Sequence, residues 1–240
     1  DRINVFSPSL IEGVTGSGKT ELYIKVVKAI LNKKGQALII VPEINLTPQT
    51  LKRFKKYLDC NISEYHSSIT ENKKYEIWKD CKKGKIDVLI GTRSATFLPF
   101  KSLKVIIIDE EHDVSLKQSE KFKYHARDLS LVRSKNLNIP ILMGSATPSF
   151  ESLHNCQLGK YNHILLKTRF FKTKLPEVKV VDINKDTATD GFSSELIRSI
   201  KNELQSKRQV LLFIGRRGYS HALLCKNCGW TSKCSKCDAH

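Results

Sequence analysis

The sequence predicts an α/β fold in which helices cover both faces of an open parallel sheet. Its first 150 residues alternate short, nearly continuous apolar runs with segments of helical periodicity. Parallel strands are buried on both faces and therefore read as such runs, whereas half-exposed strands alternate apolar and polar residues. A glycine-rich loop between the first apolar run and the first helical segment agrees with repeated strand–helix units, which bind ligands at the carboxyl ends of their strands.

The same pattern predicts the individual elements of this first part of the chain. The predicted strands are Leu10-Ile11, Ala37–Val41, Ile86–Ile90, Val105–Ile108 and Pro140–Met143. The predicted helices are Glu21–Leu31, Pro48–Leu58, Glu71–Lys82 and Tyr124–Ser134.

The pattern loosens after these elements. Val178–Asp182 is one candidate strand in an otherwise polar and basic stretch, and Ser193 or Ser194 is expected to cap a helix that runs to Leu204. Val210–Ile214 then reads as another buried strand, which indicates a second lobe just beginning. The predicted regions are a first lobe at 1–160, a connector at 161–190, the start of a second lobe at 191–224 and a partial cysteine-rich module at 225–240.

A phosphate-binding loop is the most informative stretch of the chain. It has the spacing G-x-x-x-x-G-K-[ST], and its glycines let backbone N–H groups converge on one point at a helix N-terminus. The lysine is expected to reach the β- and γ-phosphates, and the final threonine hydroxyl to hold Mg²⁺. The residues of this loop are Gly13, Val14, Thr15, Gly16, Ser17, Gly18, Lys19 and Thr20. The sequence therefore predicts a nucleoside triphosphate site.

An acidic segment follows the predicted strand Val105–Ile108 directly. In a parallel sheet this position lies at the same edge as the phosphate loop, so we expect Asp109 to hold Mg²⁺ and Glu110 to polarise the attacking water. A solvated acidic turn is the alternative for such a segment by itself. Its pairing with the loop that contains Lys19 favours ATP hydrolysis, with Lys19, Asp109 and Glu110 as the catalytic residues.

The composition indicates a folded protein with a polyanionic partner. Of 240 residues, 41 are Lys or Arg and 24 are acidic, which gives a net charge of +17. Such a charge favours nucleic acid, although a generally lysine-rich proteome would produce the same excess. No apolar run approaches the ~18 residues that span a bilayer, and no secretory signal pattern is present. Because the chain opens with Asp1 and not Met, we expect it to be a fragment.

The seven cysteines fall into two groups. Three are scattered and are interpreted as small buried hydrophobic residues: Cys60, Cys81 and Cys156. Four form two C-x-x-C pairs and are candidate zinc ligands in a reducing compartment: Cys225, Cys228, Cys234 and Cys237. One tetrahedral Zn²⁺ is an option for the four thiolates, but the gap between the pairs is shorter than the ~15–20 residues usual for a single site.

Taken together, the motifs resemble those of superfamily 2 helicases, and more narrowly those of the PriA family of primosomal replication-restart helicases. Asp109-Glu110-Glu111-His112 stands between the phosphate loop and Gly144–Ser149 in the family's order. Further matching segments are Val41–Gln49, Tyr65–Ser67, Gly91–Pro99, Asp113–Gln118, Tyr124–Asp128 and Arg216–Tyr219. The resemblance covers nearly the whole chain and implies a RecA-like sheet in the first lobe.

The resemblance also implies contacts with DNA and a link to hydrolysis. The residues expected to contact single-stranded DNA are Thr92, Arg93, Lys117 and Gln118. Phe122 and Tyr124 are expected to stack on bases, while Leu116 stands where the family has an aromatic residue; inward packing of the two rings is the alternative. Ser145–Thr147 resembles the motif that couples hydrolysis to movement, and His112 is expected to relay the state of the γ-phosphate to it.

For the second lobe and the cysteines the resemblance implies an incomplete set of ligands. Arg216 and Arg217 resemble a motif of the second lobe, with Gly215 in place of a usual asparagine. In similar proteins two zinc ions are held by four C-x-x-C pairs in interleaved order, so each pair here would be half of a different site. The implied cofactors are ATP, Mg²⁺ and Zn²⁺.

The function that the resemblance implies is an ATP-dependent 3′-to-5′ DNA helicase that binds stalled replication forks and helps to reload the replicative helicase. Its implied partners are DNA, primosome proteins and single-stranded DNA-binding protein, in the bacterial cytoplasm at the nucleoid. The chain alone is expected to bind ATP weakly and hydrolyse it poorly. The alternatives are another superfamily 2 DNA translocase and a largely non-catalytic, ATP-responsive primosome scaffold.

Overall fold

The computed structural model describes residues 4–42, 48–168, 176–182, 188–189, 192–213, 228 and 230–231. The chain divides into two compact units, 1–174 and 175–240. Among the described residues, every helix is too short or too polar to cross a bilayer. The first unit carries the phosphate loop and the acidic segment.

The first unit is built on a seven-stranded sheet. The strands of this unit are β1 (Ser7–Gly13), β2 (Gln36–Ile40), β3 (Ile62–Tyr65), β4 (Val88–Gly91), β5 (Leu103–Asp109), β6 (Lys117–Gln118), β7 (Tyr124–His125), β8 (Pro140–Ser145) and β9 (Asn162–Leu166). The sheet order is β3-β4-β2-β5-β8-β1-β9, and every neighbouring pair is parallel. The short strands β6 and β7 form a separate antiparallel pair. The predicted parallel sheet is confirmed.

The helices described between these strands are α1 (Lys19–Leu31), α2 (Pro48–Tyr57), α3 (Glu71–Lys83), α4 (Ala126–Leu137) and α5 (Phe150–Gln157). Local sequence explains several of their ends. Thr70 accepts a hydrogen bond from Lys73 N at the start of α3, and Gly84 ends that helix in the left-handed conformation. Ser149 caps α5 in the same way as Thr70 caps α3, through Ser152 N.

The core lies on both faces of the sheet, as the apolar runs predict. Along β2 and β5, successive buried side chains alternate between two clusters. On one face, Leu38 and Ile106 pack with residues of α3 and α4. On the other face, Ile39 and Ile107 pack with α1 and α2. This double coverage holds the carboxyl ends of β1 and β5 in place, two strands apart in the sheet, with β8 between them.

Some elements of the first unit differ from the sequence prediction. The helix predicted from Tyr124 begins at Ala126, because Tyr124 and His125 pair with Lys117 and Gln118 as a small hairpin. Strands β3 and β9 have no counterpart in the prediction, and β9 lies in the stretch that the sequence assigns to a connector. Both occupy edges of the sheet, where side chains are more exposed and the apolar run is therefore weaker.

The second unit contains α6 (Ser194–Gln205) and a two-residue antiparallel pair, β10 (Ala188–Thr189) with β11 (Phe192–Ser193). Ser193 caps α6 by accepting a hydrogen bond from Leu196 N, as predicted. Two predicted strands are wrong over their described residues. Val178–Asp182 is not a strand, and neither is Val210–Phe213, where Leu211 is 94% exposed; Ile214 lies outside the described residues. No described strand of this unit pairs with either segment, so neither gains ladder hydrogen bonds or burial.

Candidate nucleotide-binding site

The phosphate loop joins β1 to α1 through a backbone that only glycine adopts easily. Gly16 and Gly18 have φ angles of 81° and 94°, in the left-handed region. Gly18 is the N-cap of α1 and contributes no side-chain cap, so the first N–H groups of the helix remain available to a ligand. Gly13 is needed for close packing, because a Cβ there would lie 2.4 Å from Ser17 Oγ and 2.9 Å from Leu166 Cβ.

Lys19 brings the loop and the acidic segment together. Its side chain is largely buried, and Nζ donates to the carbonyl oxygen of Gly13 over 2.8 Å. The same Nζ lies 3.8 Å from Glu110 Oε1. The two motifs therefore converge at one edge of the sheet, as the sequence predicts.

Asp109 ends β5 and is held by a residue from α1. The hydroxyl of Tyr23 donates to Asp109 Oδ1 over 2.9 Å. Burial raises the pKa of Asp109 above its ordinary value, and the charge of Glu110 adds to this, while the Tyr23 hydrogen bond and Lys19 act in the opposite direction. Burial, together with the charge of Asp109, raises the pKa of Tyr23 well above its ordinary value, so the phenol remains a hydrogen-bond donor at neutral pH.

The backbone turns sharply directly after Asp109. Glu110 has a φ of 49°, a left-handed conformation that costs a non-glycine residue on the order of 1–3 kcal/mol. As a result Glu110 faces Lys19, whereas Glu111 enters the protein interior. Such strain is typical of residues whose side chains must be aimed at a ligand.

Glu111 is fully buried and forms a network that sequence reasoning missed. Its carboxylate accepts hydrogen bonds from Arg127 Nη1 (3.0 Å), Ser149 N (2.7 Å), Ser149 Oγ (3.1 Å) and Ser152 Oγ (2.9 Å). Burial lowers the pKa of Arg127, but its hydrogen bonds to Glu111 and Asp128 outweigh this and raise it. The acidic segment is thereby tied to α4 and α5. In the sequence, the presence of a third acidic residue in the motif was the only indication of this network. Its partners lie 16 to 41 residues further along the chain, so spacing alone does not identify them.

His112 bridges the acidic segment and the Ser145–Thr147 turn. Its Nδ1 lies 2.7 Å from Ser145 Oγ and 3.7 Å from Glu110 Oε2, and its Nε2 lies 3.3 Å from Thr147 Oγ1. Thr147 N also donates to Ser145 Oγ over 2.9 Å. The arrangement provides the contact through which a change at Glu110 would reach the turn.

The donor set fits a magnesium–triphosphate complex. Ser17 Oγ is buried and has no hydrogen-bond partner among the described residues, which leaves a donor inside the loop for a phosphate oxygen. The Thr20 hydroxyl lies in the first turn of α1, one helical turn before Tyr23, which contacts Asp109. Hydroxyl and carboxylate oxygens are the ligands that Mg²⁺ prefers. Thr20 and Asp109 are therefore suited to hold that ion.

The candidate DNA-contacting residues lie on two segments that touch each other. Arg93 Nη1 donates to the carbonyl oxygens of Ser115 (3.1 Å) and Lys117 (3.5 Å). Thr92 is 5% exposed, Lys117 is exposed, and Gln118 donates to the carbonyl oxygen of Glu120 over 2.8 Å. The structure thus brings the four residues to one region, with only Lys117 fully open to solvent; their contacts with DNA stay a prediction.

The aromatic residues of this region form a surface cluster. Tyr124 packs edge-on against Phe97, with ring centroids 4.9 Å apart, and Phe122 lies 5.8 Å from Tyr124. Phe122 is 71% exposed and Phe97 is 51% exposed, so the rings do not pack fully inward. Leu116 is completely buried in the core. An aromatic side chain at that position would not be available to a base.

Most of the predicted zinc ligands fall outside the described residues. Cys225, Cys234 and Cys237 lie there, as do Arg216 and Arg217, while Cys228 is exposed. Of the scattered cysteines, Cys81 is buried, as predicted, and burial raises its pKa to about 12. Cys60 and Cys156 are only half-buried.

The chain is similar to known helicases and replication-restart proteins. A family model described as DEAD/DEAH box helicase matches residues 4–156. The chain is 45% identical over 233 residues to the replication restart protein PriA of Haemophilus influenzae, covering 97% of this chain and 32% of that protein. It is 38% identical to PriA of Bacillus subtilis, covering 95% of this chain and 29% of that protein.

The chain spans about a third of the length of these curated relatives. Among solved structures, RecG bound to a three-way DNA junction aligns with a TM-score of 0.49 and 23% identity over 67% of this chain and 20% of that one.

Proposed function

Because this chain belongs to the DEAD/DEAH box helicase family, we propose that it is the ATP-binding core of an ATP-dependent 3′-to-5′ DNA helicase that acts in replication restart. The curated relatives named PriA support the biological setting. The observation that carries the proposal is the convergence of Lys19 with Glu110 and of Tyr23 with Asp109, which joins the phosphate loop to the acidic segment.

The geometry supports one role for each group in ATP hydrolysis. Lys19 would move from the Gly13 carbonyl to the β- and γ-phosphates, where it offsets negative charge. Thr20 and Asp109 would hold Mg²⁺, which neutralises charge on the phosphates when it is bound. Glu110, aimed at Lys19 by its left-handed backbone, would orient the attacking water. Phosphoryl transfer needs mainly such positioning and charge, which these groups would supply.

His112 would pass the state of the γ-phosphate to the Ser145–Thr147 turn. It lies within contact distance of both Glu110 and the turn, so a shift of Glu110 on hydrolysis changes the environment of Ser145. This link would couple ATP turnover to movement along DNA.

The DNA strand would run along the carboxyl ends of β4 and β5. Arg93 orders the backbone of Ser115 and Lys117, and Lys117 and Gln118 would contact phosphates. The exposed rings of Phe97 and Phe122 would stack on bases. The net charge of +17 favours the same polyanion.

The cysteine pairs extend this proposal beyond the described residues. Cys225, Cys228, Cys234 and Cys237 would each ligate Zn²⁺ as halves of two sites completed by further cysteines, as the family resemblance implies. By the same resemblance the protein would act at stalled forks in the bacterial cytoplasm, with primosome proteins and single-stranded DNA-binding protein as partners.

The central test is unwinding and ATPase activity of a purified complete protein that contains this chain, on forks with either a 3′ or a 5′ single-stranded tail. The wild type is expected to unwind the 3′-tailed fork. Lys19→Ala is expected to lose nucleotide binding, ATPase and unwinding, whereas Glu110→Gln is expected to bind ATP but to hydrolyse it at least a hundredfold more slowly.

Lys28→Ala is the matched control for Lys19→Ala, because Lys28 is an exposed lysine in the last turn of the same helix. Unwinding that survives Lys19→Ala would overturn the proposed mechanism. Preference for the 5′-tailed fork would overturn the proposed direction.

A further inference from the structure

A buried tyrosine touches the carboxylate that is proposed to hold Mg²⁺. Tyr23 is 1% exposed, and its hydroxyl donates to Asp109 Oδ1 over 2.9 Å. It lies on α1, one turn after Thr20, so the helix that begins at the phosphate loop also reaches the end of β5. This contact joins the two halves of the site through protein alone.

Gly144 of β8 creates the space for this contact. A Cβ on Gly144 would lie 1.6 Å from the Tyr23 hydroxyl oxygen and 2.9 Å from its Cζ. It would also stand 3.5 Å from Asp109 Oδ1. Because β8 lies between β1 and β5, only a residue without a side chain at this position allows a phenol from α1 to reach Asp109.

Packing alone does not account for a hydroxyl at this place. A phenylalanine ring would fill the same apolar space between α1 and the sheet, and it would bury no polar group. A hydroxyl is costly to bury unless it is hydrogen-bonded, and the hydrogen-bond partner of this one is Asp109. The hydroxyl is therefore matched to the carboxylate and not only to the core.

We propose that Tyr23 is a positioning residue for the metal: its hydroxyl donates to Oδ1 of Asp109 and thereby fixes the orientation of the carboxylate that would hold Mg²⁺. The inference rests on the proposed function. Tyr23 would contact neither nucleotide nor metal and acts only through Asp109. Partners that orient a metal ligand in this way change metal affinity by about 10–100-fold when they are removed.

The test removes one oxygen atom, with Tyr23→Phe as the variant and Tyr75→Phe as the control. Tyr75 is 64% exposed, so its hydroxyl is open to solvent. Binding of a fluorescent ATP analogue is titrated with Mg²⁺ and repeated in EDTA, and thermal melting checks the fold. Tyr23→Phe is expected to raise the half-saturating Mg²⁺ concentration about tenfold. Binding in EDTA is expected to stay within twofold of wild type.

A double variant shows whether Tyr23 acts through Asp109. Adding Tyr23→Phe to Asp109→Asn is expected to leave the Mg²⁺ dependence of that single variant unchanged, because the carboxylate to be oriented is absent. A wild-type Mg²⁺ dependence in Tyr23→Phe would overturn the inference, and so would an equal loss of binding with and without Mg²⁺. If the wild type binds no nucleotide at all, the proposed function fails instead.

Discussion

At the scale of one residue, the surroundings of Asp109 oppose the metal-binding role proposed for it. Its carboxylate must be charged to bind a cation, yet its surroundings favour the neutral form and raise its pKa. In the unfolded chain the group is ionised above about pH 3.9. In the folded state without a bound cation, the ionised form is less favourable than in the unfolded chain, and this lowers the free energy of unfolding.

Asp109→Asn should therefore stabilise the ligand-free protein. Since the folded pKa is raised, ionised Asp109 destabilises the fold at every pH above its folded pKa, and this cost disappears as the pH falls below the unfolded pKa. We expect a higher melting temperature for Asp109→Asn at pH 7.5 without Mg²⁺, and a gain that shrinks towards pH 4. Calorimetry at several pH values measures it.

The exposed carboxylate of Glu64 provides the control, and Glu64→Gln should leave the melting temperature nearly unchanged. A lower melting temperature for Asp109→Asn at pH 7.5 would contradict this prediction. It would show that the interactions of Lys19 and Tyr23 with the ionised carboxylate stabilise the fold by more than its burial destabilises it.

At this scale, motif spacing predicted that the phosphate loop and the acidic segment converge, but not which residues hold them together. Lys19 and Asp109 are recognisable because phosphate binding needs a lysine at one position of a glycine loop and an acid at the end of a buried strand. Tyr23 reads as one more apolar residue of an amphipathic helix. Its contact with Asp109 depends on the missing side chain of Gly144, and only the packed sheet shows this.

At the scale of elements, Glu111 joins the end of β5 to α4 and α5. Removing it leaves the Arg127 guanidinium, with 11% of its side chain exposed, without its main partner. Glu111→Ala should cost about 3–5 kcal/mol of unfolding free energy, because it breaks a buried ion pair and leaves Arg127 only the more exposed carboxylates of Asp128 and Glu151. Glu111→Gln should cost less, since an amide oxygen still accepts hydrogen bonds.

Urea denaturation followed by circular dichroism measures both Glu111 variants, with Glu120→Ala at an exposed site as the control. A loss below 1 kcal/mol for Glu111→Ala would contradict the role of this network.

Gly144→Ala tests the packing between α1 and β8. Its new Cβ would overlap the Tyr23 hydroxyl, so we expect a loss of about 1–3 kcal/mol from overpacking. Tyr23→Phe should recover part of this loss, because the nearest atom would then be Cζ at 2.9 Å and not the hydroxyl at 1.6 Å. Denaturation of the two single variants and the double variant measures the coupling. Additive losses would show that the two residues do not share this space.

The elements that the sequence predicted well are those in the middle of the sheet. Strands β2 and β5 are buried on both faces and therefore carry long apolar runs. The edge strand β3 has a mixed pattern, and the pair β6–β7 is only two residues long on each side, too short for any periodicity. Val210–Phe213 was predicted as a strand from its apolar run but is not one. An apolar run becomes a strand only where another strand pairs with it.

At the scale of the whole molecule, charge should govern DNA affinity. With a net charge of +17, binding to single-stranded DNA should weaken linearly in log–log form as salt rises. Lys117→Ala should lower the magnitude of that slope by about 0.7, the value for one phosphate contact on a single strand. Fluorescence anisotropy over a salt series provides the measurement.

Lys28→Ala is the control for Lys117→Ala as well. Lys28 stands in the last turn of α1, at the other end of that helix from the phosphate loop, and its loss should leave the slope unchanged. Equal salt-dependence slopes for the wild type and Lys117→Ala would show that Lys117 does not contact a DNA phosphate.

The parallel pairing of β9 with β1 sets a practical limit on how this lobe can be shortened. Residues Asn162–Leu166 cover the outer side of the strand that leads into the phosphate loop, and Leu166 packs beside Gly13. A protein cut before residue 162 would expose the amide and carbonyl groups of β1, which invite association with other chains. Expression of a soluble minimal nucleotide-binding lobe should therefore require a C-terminal boundary beyond Leu166.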